Sequence, residues 1–352
     1  MFILWPLNTR LWYETYGRDL PWRKTDNPYY IWISEIILQQ TRIEQGLGYY
    51  ARFVETFPTV ADLAAASEQQ VLKLWQGLGY YSRARNLHEA AKSIVSKHNG
   101  QFPDTYTNIL QLKGVGKYTA AAIASFAFRL PYPVIDGNVY RVVSRVYGVY
   151  TPIGTQSAYK QFENILLRLI DQNRPDIFNQ AIMDFGSTYC KTLSPDCVNC
   201  IFAEECVAFR NDKVSLLPVK SDPPKVKNRF FYYFDIKWDN DGCLYTVLGK
   251  RSEKDIWKGL YQFPMLEEDV EESELLSRLS TFLDDFCKVP YVIEDVSSPI
   301  THKLTHRTIV ARFIKVKLKS EPQLESEKWE QICTSDIGKF PVSRLIDKYL
   351  NK

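Results

Sequence analysis

Four cysteines within seventeen residues constrain this chain more than any other feature: Cys190-x6-Cys197-x2-Cys200-x5-Cys206. Four thiolates this close can surround one metal centre, and both zinc and a four-iron cluster are held by such sets. Zinc modules usually pair two short Cys-x-x-Cys hooks. Only Cys197 and Cys200 stand at that spacing, so the pattern favours iron-sulfur over zinc. Disulfides would need an oxidising compartment, and the opening MFILWPLNTR is too short and too soon interrupted for a secretory signal. The remaining cysteines, Cys243, Cys287 and Cys333, are scattered and read as buried small apolar residues.

Almost everything before the cysteines reads as helical. Apolar residues recur at helical spacing over 7–16, 29–45, 46–57, 68–76, 81–98, 117–128, 137–149, 156–171 and 175–189. Ser67 and Gln70 form a capping box, and Pro58, Pro103, Pro131 and Pro152 fall where helices should stop. From 207 to 228 the composition turns to Pro and Lys without apolar period, which predicts an extended linker. Beyond it RFFYYFDIKW and CLYTVLGKR alternate as strands around a DNDG turn. A helix near 272–287, strands at 290–294 and 307–318 and a last helix near 342–350 complete a small mixed domain. The expected organisation is therefore an all-α domain over 1–206, with the cysteine loop at 190–206, a linker over 207–228, and an α+β domain over 229–352.

With 352 residues, 45% of them hydrophobic, the chain can fill more than one core. It has no run of about 18 apolar residues, so no membrane span is expected and the protein reads as intracellular. Net charge is only +3, but its distribution is uneven. Residues 229–352 hold 19 Lys/Arg against 21 Asp/Glu, which leaves 25 against 20 in the first 228.

Three stretches carry candidate chemistry. LKGVGKYTAAAIASFAF starts with a Gly-x-Gly turn, where Gly114 and Gly116 can adopt positive φ, and the uncapped amides at the start of the following helix would suit a phosphate. An ordinary helix-helix turn would look the same. Glu35 stands among Ile31, Ile33, Ile36, Ile37 and Leu38; it either faces solvent, or burial raises its pKa and makes it an acid near neutral pH. Asp136, before Gly-Asn-Val, reads as an N-cap, and a carboxylate at a helix N-terminus stays ionised.

Taken together, the 6-2-5 cysteine spacing, the helix-hairpin-helix at 112–123 and Asp136 resemble the endonuclease III superfamily. WISEIILQQTRI (32–43), GLGYYSRARNL (77–87), LKGVGKYTAAAI, VIDGNVYRV and the second domain are similar, more narrowly, to the adenine DNA glycosylases. The resemblance covers nearly the whole chain. It implies an all-α helix-hairpin-helix core with one [4Fe-4S] cluster on Cys190, Cys197, Cys200 and Cys206, followed by a Nudix-like α+β domain. It also implies base excision repair: hydrolysis of the N-glycosidic bond of adenine mispaired with 8-oxoguanine or guanine in double-stranded DNA, by a monomer acting in the cytoplasm at the nucleoid.

By the same resemblance Glu35 protonates the departing base, and Asp136, held by Asn138, stabilises the sugar cation, directly or through a short-lived adduct. Tyr118 stands where relatives that also cleave the strand use a nucleophilic Lys. Lys117 is one residue off, about 100 degrees round a helix, so a monofunctional enzyme is expected. Trp22, Arg23, Leu38 and Gln180 match the adenine pocket, and Gln40 and Tyr80 the wedge left behind when the base is flipped out. Gly114, Gly116 and Lys117 match the hairpin that grips the DNA backbone.

Two departures are visible: Lys113 replaces a common Pro, and Leu304 replaces the aromatic residue of the loop that touches 8-oxoguanine, where Thr305 and His306 keep the hydroxyl and imidazole. Nearby His302 reads as a surface histidine. The second domain lacks the acidic pyrophosphatase signature, since Met265 stands where its first Glu should follow Gly259, which argues against nucleotide hydrolysis. The alternatives are an endonuclease III-type pyrimidine glycosylase and lyase, disfavoured by Tyr118, and a non-catalytic iron-sulfur DNA-binding protein, disfavoured by the intact Glu35 and Asp136.

Overall fold

The computed structural model describes residues 5–221, 226–251, 256–324 and 328–351, so positions 222–225 of the expected linker lie outside the described residues. Two compact units emerge. The first comprises residues 1–65 and 86–222, and the second comprises 66–85 together with 223–352.

The first unit is helical. At its centre the helix Pro28–Leu38 begins at Asn27, whose side chain accepts the Tyr29 amide, with Pro28 at the first position. Apolar on nearly every side, it is buried from Ile31 through Ile37. The Ala-rich helix Lys117–Phe128 packs against it, and Thr119 on the facing side accepts a hydrogen bond from Gln39 at 3.1 Å. Between Lys117–Phe128 and the helix Gly137–Tyr147 the chain runs extended, clamped by the fully buried Asn179. The Asn179 Oδ1 accepts the Val134 amide at 2.9 Å, while Nδ2 donates to Ser125 Oγ at 2.8 Å and to the Tyr132 carbonyl at 2.9 Å. Gly137–Tyr147 then buries Val139, Val142 and Val146 against Phe162, Phe178 and Phe202.

The single helix expected over 29–45 is two helices, Pro28–Leu38 and Ile43–Thr56, separated by a turn in which Gln40 takes φ 57°. The stretch expected as linker is also built into this unit as far as residue 220. Val207–Arg210 is a helical turn, Ala208 and Leu217 are buried, and Ile153 donates to the Val219 carbonyl at 2.9 Å. Ala208 and Leu217 belong to the core of this unit, and Val214 and Val219 pack against it.

The second unit is built on one mixed sheet. Its strands are β1 (Lys227–Asn240), β2 (Cys243–Lys250), β3 (Tyr261–Gln262), β4 (Met265–Glu267), β5 (Tyr291–Val296), β6 (Ile300–Lys303), β7 (Arg307–Leu318) and β8 (Trp329–Cys333). The main order is β3-β2-β1-β7-β5, with β4 on β1, β6 on β7 and β8 on β2. β1 runs parallel to β7 and antiparallel to β2. Between β1 and β2 a two-residue turn uses Asp241 at φ 51° and Gly242 at φ 80°, as the DNDG sequence predicts. Alternation along β1 sends Tyr232, Phe234, Ile236 and Trp238 towards the helix Leu275–Cys287, and Phe231 and Tyr233 to the core that holds Leu345 and Ile346.

Cys243 and Cys333 are not buried apolar residues. They form a disulfide joining β2 to β8, because antiparallel pairing brings the start of one strand beside the end of the other. Cys287 is fully buried, as expected.

Candidate active site

A cavity of about 700 Å³ opens in the first unit, within the size range of small-molecule pockets. Trp22, Arg23, Glu35, Leu38, Gln40, Tyr118, Asp136, Asn138 and Gln180, nine of the residues expected at the site, line it together. Glu35 and Asp136, 101 positions apart in sequence, thus share one space.

Glu35 is buried, and burial pushes its carboxyl up to about 7, with the negative charge of Asp136 adding to the rise. Two groups oppose this: the Tyr118 hydroxyl, which donates to Oε2 at 2.8 Å, and the charge of Arg23. Asp136 is the N-cap of Gly137–Tyr147. Its Oδ1 accepts the Val139 amide at 2.7 Å, and its Oδ2 accepts Asn138 Nδ2 at 2.7 Å. Burial nevertheless pushes this carboxyl above the usual range, and the hydrogen bonds and Arg141 pull it back. The expectation from capping alone left out that desolvation. Because Asp136 has more donors around its oxygens than Glu35, the proton of the pair belongs on Glu35.

Lys117 turns away from this space, its Nζ 4.6 Å from the centroid of the Tyr159 ring, as the one-residue offset predicts. In the hairpin, Gly114 holds φ 76° and a Cβ there would lie 2.6 Å from that of Asn86. Gly116 does not share the positive φ expected of it: it is extended at φ −95° and caps the helix Lys117–Phe128 without a side-chain hydrogen bond. A Cβ at Gly116 would meet nothing within 4 Å, so this glycine leaves the helix N-terminus open to an approaching group.

Several residues that frame the site carried no motif. Asp184 is fully buried and receives both Arg18 and Arg23, the latter at 2.5 Å and 2.7 Å, which places Arg23 at the cavity wall. Arg141 donates to Asn138 Oδ1 at 2.8 Å and to the Cys190 carbonyl at 2.8 Å, so the residue holding Asp136 is itself tied to the cysteine loop. Arg145, also buried, donates to the carbonyls of Lys191, Val214 and Leu217. The available signal was a charge at a position where the helical period calls for an apolar residue.

Cys190, Cys197, Cys200 and Cys206 line one small cavity. Among the described residues no three His, Cys, Asp or Glu side chains converge as they would on a single ion. Four cysteine side chains around one shared cavity supply the thiolate set that a four-iron cluster takes. Hydrogen bonds to sulfur fit the same group: the Phe202 amide donates to Cys200 Sγ and Arg145 to Cys190 Sγ, both at 3.4 Å. Burial pushes the Cys200 thiol up to about 12 and raises Cys197 and Cys206, with mutual repulsion adding to it.

In the second unit Leu304, Thr305 and His306 form the turn between β6 and β7. Leu304 is half-buried against the core, while Thr305 and His306 are exposed. Tyr80 is 50% exposed at φ 47°, and its hydroxyl lies 2.8 Å from Thr305 Oγ1. His302 is no plain surface residue: its ring lies edge-on to Trp257 at 5.8 Å, and burial lowers its pKa.

Helices, hairpin, cavity and cysteine loop together define a helix-hairpin-helix base-excision protein. Residues 33–172 match the HhH-GPD superfamily of base excision DNA repair proteins, and residues 237–352 match the NUDIX domain. Within that class the chain belongs to the adenine DNA glycosylases. It is 31% identical to an adenine DNA glycosylase of Buchnera aphidicola subsp. Schizaphis graminum over 96% of both chains, and 36% identical to that of the Acyrthosiphon pisum subspecies over 74% of this chain and 73% of the relative. Among solved structures, a thermostable thymine-DNA glycosylase matches with a TM-score of 0.55 and 27% identity, covering 59% of this chain and 96% of that one. Among the described residues no helix is long and apolar enough to cross a membrane.

Proposed function

We propose that this chain hydrolyses the N-glycosidic bond of adenine mispaired with 8-oxoguanine, or with guanine, in double-stranded DNA, as a monomer and without cleaving the strand. The observation that carries this reading is the carboxyl pair in one cavity, Glu35 raised to about 7 and Asp136 held by two donors. Glu35 delivers its proton to a ring nitrogen of the flipped base, which turns the base into a neutral leaving group. Asp136 faces the positive charge that grows on the sugar, directly or by a short-lived adduct, and Asn138 and Arg141 keep it in place. Tyr118 orients the Glu35 carboxyl and offers no amine for a Schiff base.

Trp22, Arg23, Leu38 and Gln180 enclose the adenine, Gln40 and Tyr80 fill the gap in the stack, and the hairpin amides after Gly114 and Gly116, with Lys117, hold phosphate. The second unit is assigned to recognition of the oxidised guanine through Thr305 and His306, with Leu304 supporting the turn from within.

A duplex carrying adenine opposite 8-oxoguanine tests this. Cleavage of the adenine strand is expected only after hot alkali, and borohydride should trap no stoichiometric protein-DNA adduct. Cleavage without alkali, at oxidised pyrimidines, would instead support an endonuclease III-type lyase, and binding without cleavage a non-catalytic role.

The cysteines are assigned to one [4Fe-4S] cluster with a structural task, because four thiolates complete its coordination and leave no open position. Purified protein should contain about four irons and four acid-labile sulfides per chain. A single zinc per chain and no sulfide would overturn the assignment.

A further inference from the structure

Tyr13, in the helix Trp5–Tyr16, lies behind Gln180 and donates its hydroxyl to Gln180 Oε1 at 2.8 Å. The Arg23 guanidinium lies over the Tyr13 ring, 5.6 Å from its centroid, held there by the fully buried Asp184. Burial raises the Tyr13 phenol while the charge of Arg23 pulls it down. The phenol is the donor in this contact, its proton directed at Gln180 Oε1. An amide that must accept from Tyr13 does so with its carbonyl, which leaves its NH2 for the cavity that Gln180 lines.

We infer that Tyr13 is a positioning residue for base selection: by engaging Gln180 Oε1 it makes the amide present donors to the flipped base, so the base must offer an acceptor ring nitrogen at that point. The inference rests on the adenine reading above and deepens it. Without Tyr13 the amide can turn over and present its carbonyl instead, so a base with a donor there is accepted almost as well. With a carboxylate at position 180, Tyr13 occupies one oxygen and the other faces the cavity as an acceptor. The preference then passes from the ring nitrogen to the exocyclic amine.

The test is a cycle between protein side chain and substrate atom. Single-turnover base release and duplex affinity are measured for adenine, 1-deazaadenine, 3-deazaadenine and purine, each opposite 8-oxoguanine, with the wild-type protein, Tyr13→Phe and Gln180→Glu. For the wild type, removing one of the two ring nitrogens is expected to cost about tenfold or more, as an unpaired buried donor does. Tyr13→Phe should cut that penalty to about threefold or less, and Gln180→Glu should abolish it while making the loss of the exocyclic amine the costly change. A general loss of stability in Tyr13→Phe would scale all four substrates alike and leave the ratios unmoved.

If the wild type releases adenine but the substrate ratios agree within twofold across all three proteins, or neither ring nitrogen matters to the wild type, the inference is overturned while the adenine reading stands. If the wild type releases no adenine, both fall together.

Discussion

Replacing Glu35 by Gln is expected to lower single-turnover release of adenine by about 10² to 10⁴-fold, while the folded protein becomes more stable at pH 8. The two effects have one cause. Glu35 is buried with a single hydrogen-bond donor, and its carboxyl is raised from 4.5 to about 7. Between those values the folded state binds a proton that the unfolded chain has lost, so stability falls as pH rises through this window. The cost is largest above pH 7 and absent below about pH 4; the size of the shift sets it at up to about 3 kcal/mol. Gln carries no charge to desolvate and escapes the cost. Melting temperature of the variant should exceed that of the wild type at pH 8 by several degrees, at about 2–4 °C per kcal/mol, with the gap closing towards pH 4. The same titration predicts wild-type kcat/KM declining above about pH 7, because the acid is then lost. A variant that retains base release, or gains no stability at pH 8, would contradict the role given to this residue.

Asp136→Asn separates capping from catalysis. Asn is as good an N-cap as Asp, so the Val139 amide keeps its partner and the melting temperature should change by only a few degrees. The charge opposite the sugar is lost, however, and base release should fall by about 10² to 10³-fold with duplex affinity undiminished. Unimpaired turnover in a folded Asp136→Asn protein would leave Asp136 as a cap and nothing more.

Some of this molecule was legible from local pattern, because the physics involved is local. A helical period fixes which side of Gly137–Tyr147 is apolar, a Ser-x-x-Gln run closes a capping box at Ser67, and Asp-Gly makes the turn between β1 and β2. The cysteine spacing likewise limits what four thiols can bind. Other features depend on neighbours distant in the chain. The turn at Gln40 carries no Gly or Pro, so the pattern continues through it as one helix. The disulfide between Cys243 and Cys333 spans 90 positions and exists only because β2 and β8 pair.

The active-site pair shows the same division. An ordered set of motifs named Glu35, Tyr118, Asp136 and Asn138. That Glu35 would be buried with one donor, that Asp136 would be desolvated despite its cap, and that Asp184 would hold Arg23 over Tyr13 were settled by packing between helices far apart in the chain. Side-chain chemistry and spacing are properties of the chain itself, whereas burial, proton affinity and hydrogen-bond direction depend on which groups the completed fold brings alongside.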